Sequence, residues 1–199
     1  MNEAVFREFD RLCGSLGVTG RVLELGASPH HRPLLALPSL AGASLRVGVG
    51  LDGPGRAEGH AVIRGNANEL AFFRDESFDL VLCNAMIEHD PRFWLSVAEA
   101  RRILKAGGAF ICGAPGFDRR PILAGHPWLR RLVRRSPARL GLRPVMASAP
   151  TLPLHDFPGD YYRFSEQAMR EVVLDGFEVV RVRTIMTPPR VIGVGRKPP

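Results

Sequence analysis

Val22-Leu23-Glu24-Leu25-Gly26-Ala27-Ser28 decides how this chain is read. Three apolar residues interleave with one acid and then break into a small-residue turn. That is the pattern of a short buried strand ending in a strand-to-helix connection. A glycine at such a turn lets a ligand come close to the backbone. Glu24 is the odd member. A carboxylate inside a buried strand is costly unless something pairs with it. Either a protein donor satisfies it, or it faces a cationic or hydrogen-bonding ligand at the carboxyl end of the strand.

Outward from this first strand (residues 21–25), the pattern repeats. Ahead of it, Val5, Phe6, Phe9, Leu12 and Cys13 sit at helical spacing, which predicts a helix over 3–14 with Gly14 as its stop. Behind it, Pro29, Pro33 and Pro38 allow only short helical pieces. A second strand runs from Ser44 to Leu51 and ends at Asp52. Gly53-Pro54-Gly55 follows as a turn. A third strand, Ala61 to Arg64, leads into Gly65-Asn66-Ala67-Asn68. A fourth, Asp79 to Cys83, is continuous and apolar as central parallel strands are, and exits through Asn84 to Asp90. A helix over 91–105, stopped by Gly107-Gly108, precedes a fifth strand, Ala109 to Cys112. Ser165 caps a last helix that runs to about Leu174, and Phe177 to Ile185 with Val191 to Gly195 form a terminal hairpin-like pair.

Alternating strands and helices predict an α/β fold with a parallel sheet, whose ligands sit outside the carboxyl ends of the strands. Glu24 to Gly26, Asp52, Asn66 and Asn84 each lie at or just beyond the end of a different predicted strand. They are therefore the candidate site.

Composition sets the limits. The chain has 199 residues, 45% of them apolar and 24% charged, which predicts one soluble globular domain. The net charge of +7 favours acidic partners or surfaces. Cys13, Cys83 and Cys112 lack metal-ligand spacing and are expected to be reduced core thiols of a cytoplasmic protein, with no metal site. No apolar run approaches the ~20 residues that span a bilayer. The start, Met1-Asn2-Glu3, has no signal-peptide character.

In these motifs the chain resembles the class I S-adenosylmethionine-dependent methyltransferases, and most of all their small ubiquinone/menaquinone-methyltransferase type. Val22 to Gly26 is similar to the family's first motif, and Gly48-Val49-Gly50-Leu51-Asp52 to its second strand with a terminal acid. Gly65-Asn66-Ala67-Asn68 stands where the family has a Gly-Asp-Ala run. Phe78 to Asn84, Glu88-His89, and Arg102 to Gly108 follow in the family's order and with its gaps. The resemblance implies a Rossmann-like seven-stranded sheet of order 3-2-1-4-5-7-6, strand 7 antiparallel, with helices on both faces. It implies S-adenosylmethionine as cofactor, with Gly26, Ala27 and Ser28 near the methionine part. Asp52 would take the ribose hydroxyls, and Asn66 and Ala67 the adenine edge. Asn84 and Ala85 would line the path to the sulfonium. Two departures are clear: Ser28 and His30 stand where the family has glycines, and Asn66 where it has an acid.

The expected chemistry is methyl transfer by in-line displacement, in which alignment is the protein's main task and a general base helps an oxygen or nitrogen acceptor. The candidates for that chemistry are His89, His155, Asp160 and Tyr161. The last three belong to His155-Asp156-Phe157-Pro158-Gly159-Asp160-Tyr161-Tyr162-Arg163-Phe164-Ser165. A similar pattern occurs in methyltransferases of cell-surface saccharide pathways, which implies a small-molecule, saccharide or lipid-linked acceptor. Alternatively, Asp160 and Arg163 form a structural ion pair among core aromatics.

Residues 114–164 are an expected insertion in a single domain spanning 1–199. In it Trp128, Leu129, Leu132 and Val133 share one helical face and Arg130, Arg131, Arg134 and Arg135 the other. Arg119, Arg120, Arg139 and Arg143 flank them. Three readings follow: a lid over the acceptor site, a basic helix on an anionic membrane, or a phosphate-binding surface of an RNA methyltransferase. A non-catalytic binding or scaffold protein with the same fold is the rival of another class. A nicotinamide-cofactor enzyme would need a Gly-x-Gly-x-x-Gly turn, which is absent here.

Overall fold

The computed structural model describes residues 1–117, 148–155 and 159–199, together with Trp128 and Arg131. The arginine-rich face expected between 119 and 143 lies outside the described residues, apart from Arg131. Trp128, expected on its apolar face, is exposed.

Helix α1 (Glu3–Leu16) opens the chain, with the Asn2 side chain accepting from the Ala4 N–H. It outlasts the predicted stop at Gly14. Its terminator is Gly17, whose φ of 61° suits the left-handed cap. Then come β1 (Arg21–Leu25), short 3₁₀ turns at Leu34–Ala36 and Pro38–Leu40, β2 (Leu45–Gly50), β3 (Gly55–Ala57), β4 (His60–Arg64) and β5 (Phe78–Asn84). After these come α2 (Phe93–Ile103) and β6 (Leu104–Pro115). The chain closes with α3 (Glu166–Ala168, widening into π-helical turns over Met169–Val173), β7 (Glu178–Ile185) and β8 (Arg190–Arg196).

All eight strands form one sheet of order β3-β4-β2-β1-β5-β6-β8-β7. Without β3, this is the expected seven-strand order, and β8 lies antiparallel between β6 and β7. The eighth strand corrects the sequence reading. Gly53 to Gly55 was expected to be a plain turn, but Gly55 already pairs with Val62 in a small antiparallel hairpin at the sheet edge. A second correction concerns α2. It spans 93–103 rather than the expected 91–105, because Leu104 is drawn into register with Phe78. The glycines fall in a bulge of the β5–β6 ladder instead.

Apolar clusters cover both faces of the sheet. Phe9, Leu12, Leu34, Leu35 and Leu40 pack on one face beneath α1. Phe93, Val97, Ile103, Met169 and Val173 pack on the other beneath α2 and α3. All three cysteines are buried and unbridged. No helix among the described residues is long and apolar enough to cross a membrane.

Two features prepare the site. The turn after β1 lies directly on β2: the Ala27 N–H donates to the Val49 carbonyl at 3.0 Å. A Cβ on Gly50 would stand 1.8 Å from the Ala27 carbonyl oxygen. Only glycine at 50 permits that approach. The second feature is a neck at the end of β6. Gly116 bridges Phe164, and Phe117 bridges Thr151. The Thr151 hydroxyl donates to the Gly116 carbonyl at 2.8 Å.

Candidate active site

Two clefts open at the carboxyl ends of the strands. The first, of about 290 Å³, is lined by Gly26, Val49 to Leu51, Gly65 to Asn68, Met86 and His89 to Arg92. The second, of about 320 Å³, takes in Glu24, Gly26, Ser28, Asp52, Asn84, Ala85, His89 and His155, with Met1 and His31 to Pro33. Gly26 and His89 line both. The clefts therefore join into one groove across the strand tips.

Each predicted residue has a definite place. Glu24 is buried, and its Oε2 accepts from the Leu35 N–H at 3.2 Å. Burial pushes its pKa up to about 7 against these backbone hydrogen bonds. The first reading of Glu24, a protein donor, is therefore borne out, and the residue also lines the second cleft. Ala27 is buried beneath the turn and faces neither cleft. The Ser28 hydroxyl accepts from the His30 N–H at 3.3 Å. Pro29 leans the other way, onto β3, where a Cβ on Gly55 would touch its ring at 2.7 Å. Neither Pro29 nor His30 lines the groove. Of the two residues that stand where the family has glycines, Ser28 therefore lines the second cleft and His30 neither.

Asp52 is exposed on the second cleft and has no hydrogen-bond or ionic partner among the described residues. Asn66 and Ala67 lie in the first cleft. The Asn66 amide oxygen accepts from the Asn68 N–H at 3.0 Å, so one of its two lone pairs is already used. The loop that carries them is tied to α2: Asn68 donates to Asp90 at 3.0 Å, and the Ser96 hydroxyl contacts both, at 2.7 and 2.6 Å.

The polar-aromatic run after residue 148 folds back over the exit of β5. The Tyr161 N–H donates to the Glu88 carbonyl at 2.8 Å. His89 Nδ1 meets the Gly159 carbonyl at 2.5 Å, and the His89 and His155 rings meet edge to face at 4.9 Å. Asp160 gathers this segment. Its carboxylate accepts from the His155 N–H at 2.9 Å, lies 3.1 Å from His155 Nδ1, and is forked by the Arg163 guanidinium. Asp160 and Arg163 are both almost wholly buried. The guanidinium holds the Asp160 carboxyl well below the usual carboxylate range. Arg163 also donates to the carbonyls of Leu152 and Pro153. The ion pair foreseen as structural is therefore present, and it is also what holds His155. Tyr161 is exposed and lines neither cleft.

Residues 50–112 match the family model described as a methyltransferase domain. The solved structure of Burkholderia thailandensis 1,6-didemethyltoxoflavin-N1-methyltransferase, bound to 1,6-didemethyltoxoflavin and S-adenosylhomocysteine, superposes with a TM-score of 0.65. It is 17% identical, and the match covers 100% of this chain and 80% of that one. The chain therefore has the fold of these methyltransferases, and its residues 50–112 match a methyltransferase domain. A putative methyltransferase of Haloferax volcanii, solved with the Trm112 methyltransferase activator, has the same fold (TM-score 0.64, 17% identity, 99% and 91% coverage). The ubiquinone/menaquinone biosynthesis C-methyltransferase of a Bradyrhizobium strain is 41% identical over 63 residues, which are 29% of this chain. The match spans 24% of that relative's length. The family match takes in Asp52, Asn66, Asn84 and His89, whereas Glu24, Ser28, His155 and Asp160 lie outside it.

Sequence reasoning quoted Glu88 only as part of a motif, without a role, and missed Arg190; both lie beneath the groove. Glu88 is wholly buried, and Arg190 lies 3.8 Å away. Burial pushes the Glu88 pKa up and that of Arg190 down, while each group's charge opposes the shift of the other. An acid among the apolar neighbours of Ile87 was the available signal for Glu88. Nothing local marked Arg190.

Glu24 gives a direct test of the buried strand. A carboxyl whose pKa is raised by folding from 4.5 to about 7 stabilises the fold fully below 4.5, and that stability is lost as pH rises through 7. Glu24→Gln keeps an oxygen for Leu35 and removes the titration. In urea denaturation the variant is expected to match the wild type below pH 4.5 and to exceed it above pH 7 by about 3 kcal/mol. Parallel pH profiles for the two proteins would refute the assignment.

Proposed function

We propose that the protein binds S-adenosylmethionine along the joined clefts and methylates an oxygen or nitrogen nucleophile of a small molecule. One observation carries this reading. Residues suited to the cofactor (Glu24, Gly26, Ser28 and Asp52) line the same cleft as His89 and His155. The residues present fit the group: Asp52 is an acceptor-only carboxylate with no protein partner among the described residues, as two ribose hydroxyls require. S-adenosylmethionine supplies, when bound, a methyl group already activated by the sulfonium charge.

The chain's own part is to orient and to move a proton. Asp52 fixes the ribose, and Asn66 and Ala67 border the adenine. Asp160 lies 3.1 Å from His155 Nδ1, and a proton on the nitrogen facing that carboxylate leaves the lone pair on Nε2. That atom takes the proton from the acceptor's O–H or N–H as the nucleophile becomes methylated. His89 is held in its place by Gly159 and borders both halves of the groove. Among small molecules we favour a hydroxyl-bearing acceptor such as a saccharide, in keeping with the pattern around His155. The membrane and RNA readings rest on the arginines around Arg131, nearly all of which lie outside the described residues.

Calorimetric titration with S-adenosylhomocysteine tests the cofactor assignment. The wild type is expected to bind. Asp52→Ala is expected to bind about 30-fold more weakly, the loss of about 2 kcal/mol of hydrogen bonding to a charged group. Wild-type protein that takes up no ligand at millimolar concentration would overturn the reading in favour of a non-catalytic member of the family.

A further inference from the structure

The pair beneath the groove has no place in the mechanism above. Both carboxylate oxygens of Glu88, and Nε of Arg190, are buried without a hydrogen-bond partner among the described residues. Arg190 begins β8 opposite Pro115 of β6. From there its Nη1 reaches toward Glu88 in the exit loop of β5, and its Nη2 donates to Asn84 Oδ1 at 3.4 Å. A guanidinium has donors only, so the amide atom facing it must be the oxygen. The Asn84 oxygen lies over β6, only 2.8 Å from where a Cβ on Gly113 would stand. Asn84 also lines the second cleft, and its Nδ2 has no protein acceptor among the described residues.

We propose that Arg190, balanced by Glu88, is a positioning residue that turns the Asn84 oxygen toward the sheet and its NH₂ into the cleft. The site then selects a methyl acceptor with a hydrogen-bond-accepting oxygen beside its nucleophilic atom, and disfavours a cationic amine there. The inference rests on the methyltransferase reading. Neutral Asn84 offers the cleft a donor, and a donor facing an ammonium leaves both unsatisfied. Arg190 can be held in this buried position because Glu88 balances its charge.

Two cofactor analogues read the amide directly. S-adenosylhomocysteine has nothing at the position of the transferred methyl, whereas sinefungin carries an amine in place of the methylated sulfonium. Calorimetry on the wild type is expected to show S-adenosylhomocysteine binding more tightly than sinefungin. In Asn84→Leu, which removes the donor at similar size, the ratio is expected to move toward sinefungin by about tenfold. Arg190→Met frees the amide to turn, so its ratio should move the same way. If that variant does not fold, Arg190→Lys retains the charge without spanning from Glu88 to Asn84 and should give the same shift. A loosened fold weakens both ligands together and leaves the ratio alone, which separates positioning from structure. An unchanged ratio in Asn84→Leu, or a shift toward S-adenosylhomocysteine, overturns the donor assignment. An unchanged ratio in folded Arg190 variants overturns the role of Arg190. Failure of the wild type to bind S-adenosylhomocysteine overturns the methyltransferase reading and this inference with it.

Discussion

Replacing His155 by alanine is expected to lower methyl transfer by about 10²–10⁴-fold, the usual span of a general base. The affinity for S-adenosylhomocysteine should stay within about twofold, because no cofactor-orienting role is assigned to the imidazole. The argument is geometric. Asp160 lies 3.1 Å from Nδ1 and accepts the backbone N–H of the same residue at 2.9 Å, so ring and backbone are held together. The carboxylate stays ionised because Arg163 forks it, and it therefore remains an acceptor through the neutral pH range. Transfer of a labelled methyl group from S-adenosylmethionine to a hydroxyl-bearing acceptor measures the effect. Turnover within threefold of the wild type would remove His155 from the mechanism and leave His89 as the candidate base.

Arg163→Met is expected to destabilise the protein by about 3–5 kcal/mol, the cost of leaving one member of a buried pair without its partner. The side chains of Arg163 and Asp160 are only 9% and 6% exposed, so solvent screens them little. The guanidinium also donates to the carbonyls of Leu152, Pro153 and Tyr162. Its loss therefore frees several backbone acceptors as well. Folding lowers the Asp160 pKa, chiefly through its hydrogen bond to Arg163. The pair's contribution is thus complete above the unfolded carboxyl's ordinary value of about 3.9 and fades as pH falls below it toward the folded value. In urea denaturation at pH 7 the variant should lose this stability, and Asp160→Asn in the same background should restore much of it. A loss under about 1 kcal/mol would mean that the pair is screened like a surface ion pair.

The parts of the fold that could be read from sequence were those fixed by local pattern. Val22 to Leu25 is a buried run closed by a glycine, and β1 spans the predicted residues 21–25. Ser165 was read as a cap, and its hydroxyl accepts the Ala168 N–H. Non-local pairing was not legible. The sequence around Leu104 reads as continuing helix, and only register with Phe78, a residue far back in the chain, makes it strand. The three residues of β3 carry no periodicity of their own and exist because β4 offers them an edge. The site follows the same division. Strand-end residues such as Asp52 and Asn84 announce themselves by position. Arg190 comes to lie beneath the groove only because β8 inserts beside β6.

The neck at Gly116–Phe164 and Phe117–Thr151 has an evolutionary consequence. Chain leaves and re-enters the domain at one spot, so the closure is made by sheet and neck whatever lies between. Lengthening such a tethered excursion adds little entropic penalty, since each doubling costs about 0.6 kcal/mol. Sequence and length can therefore change between Phe117 and Thr151 while the sheet that ties both ends keeps its register.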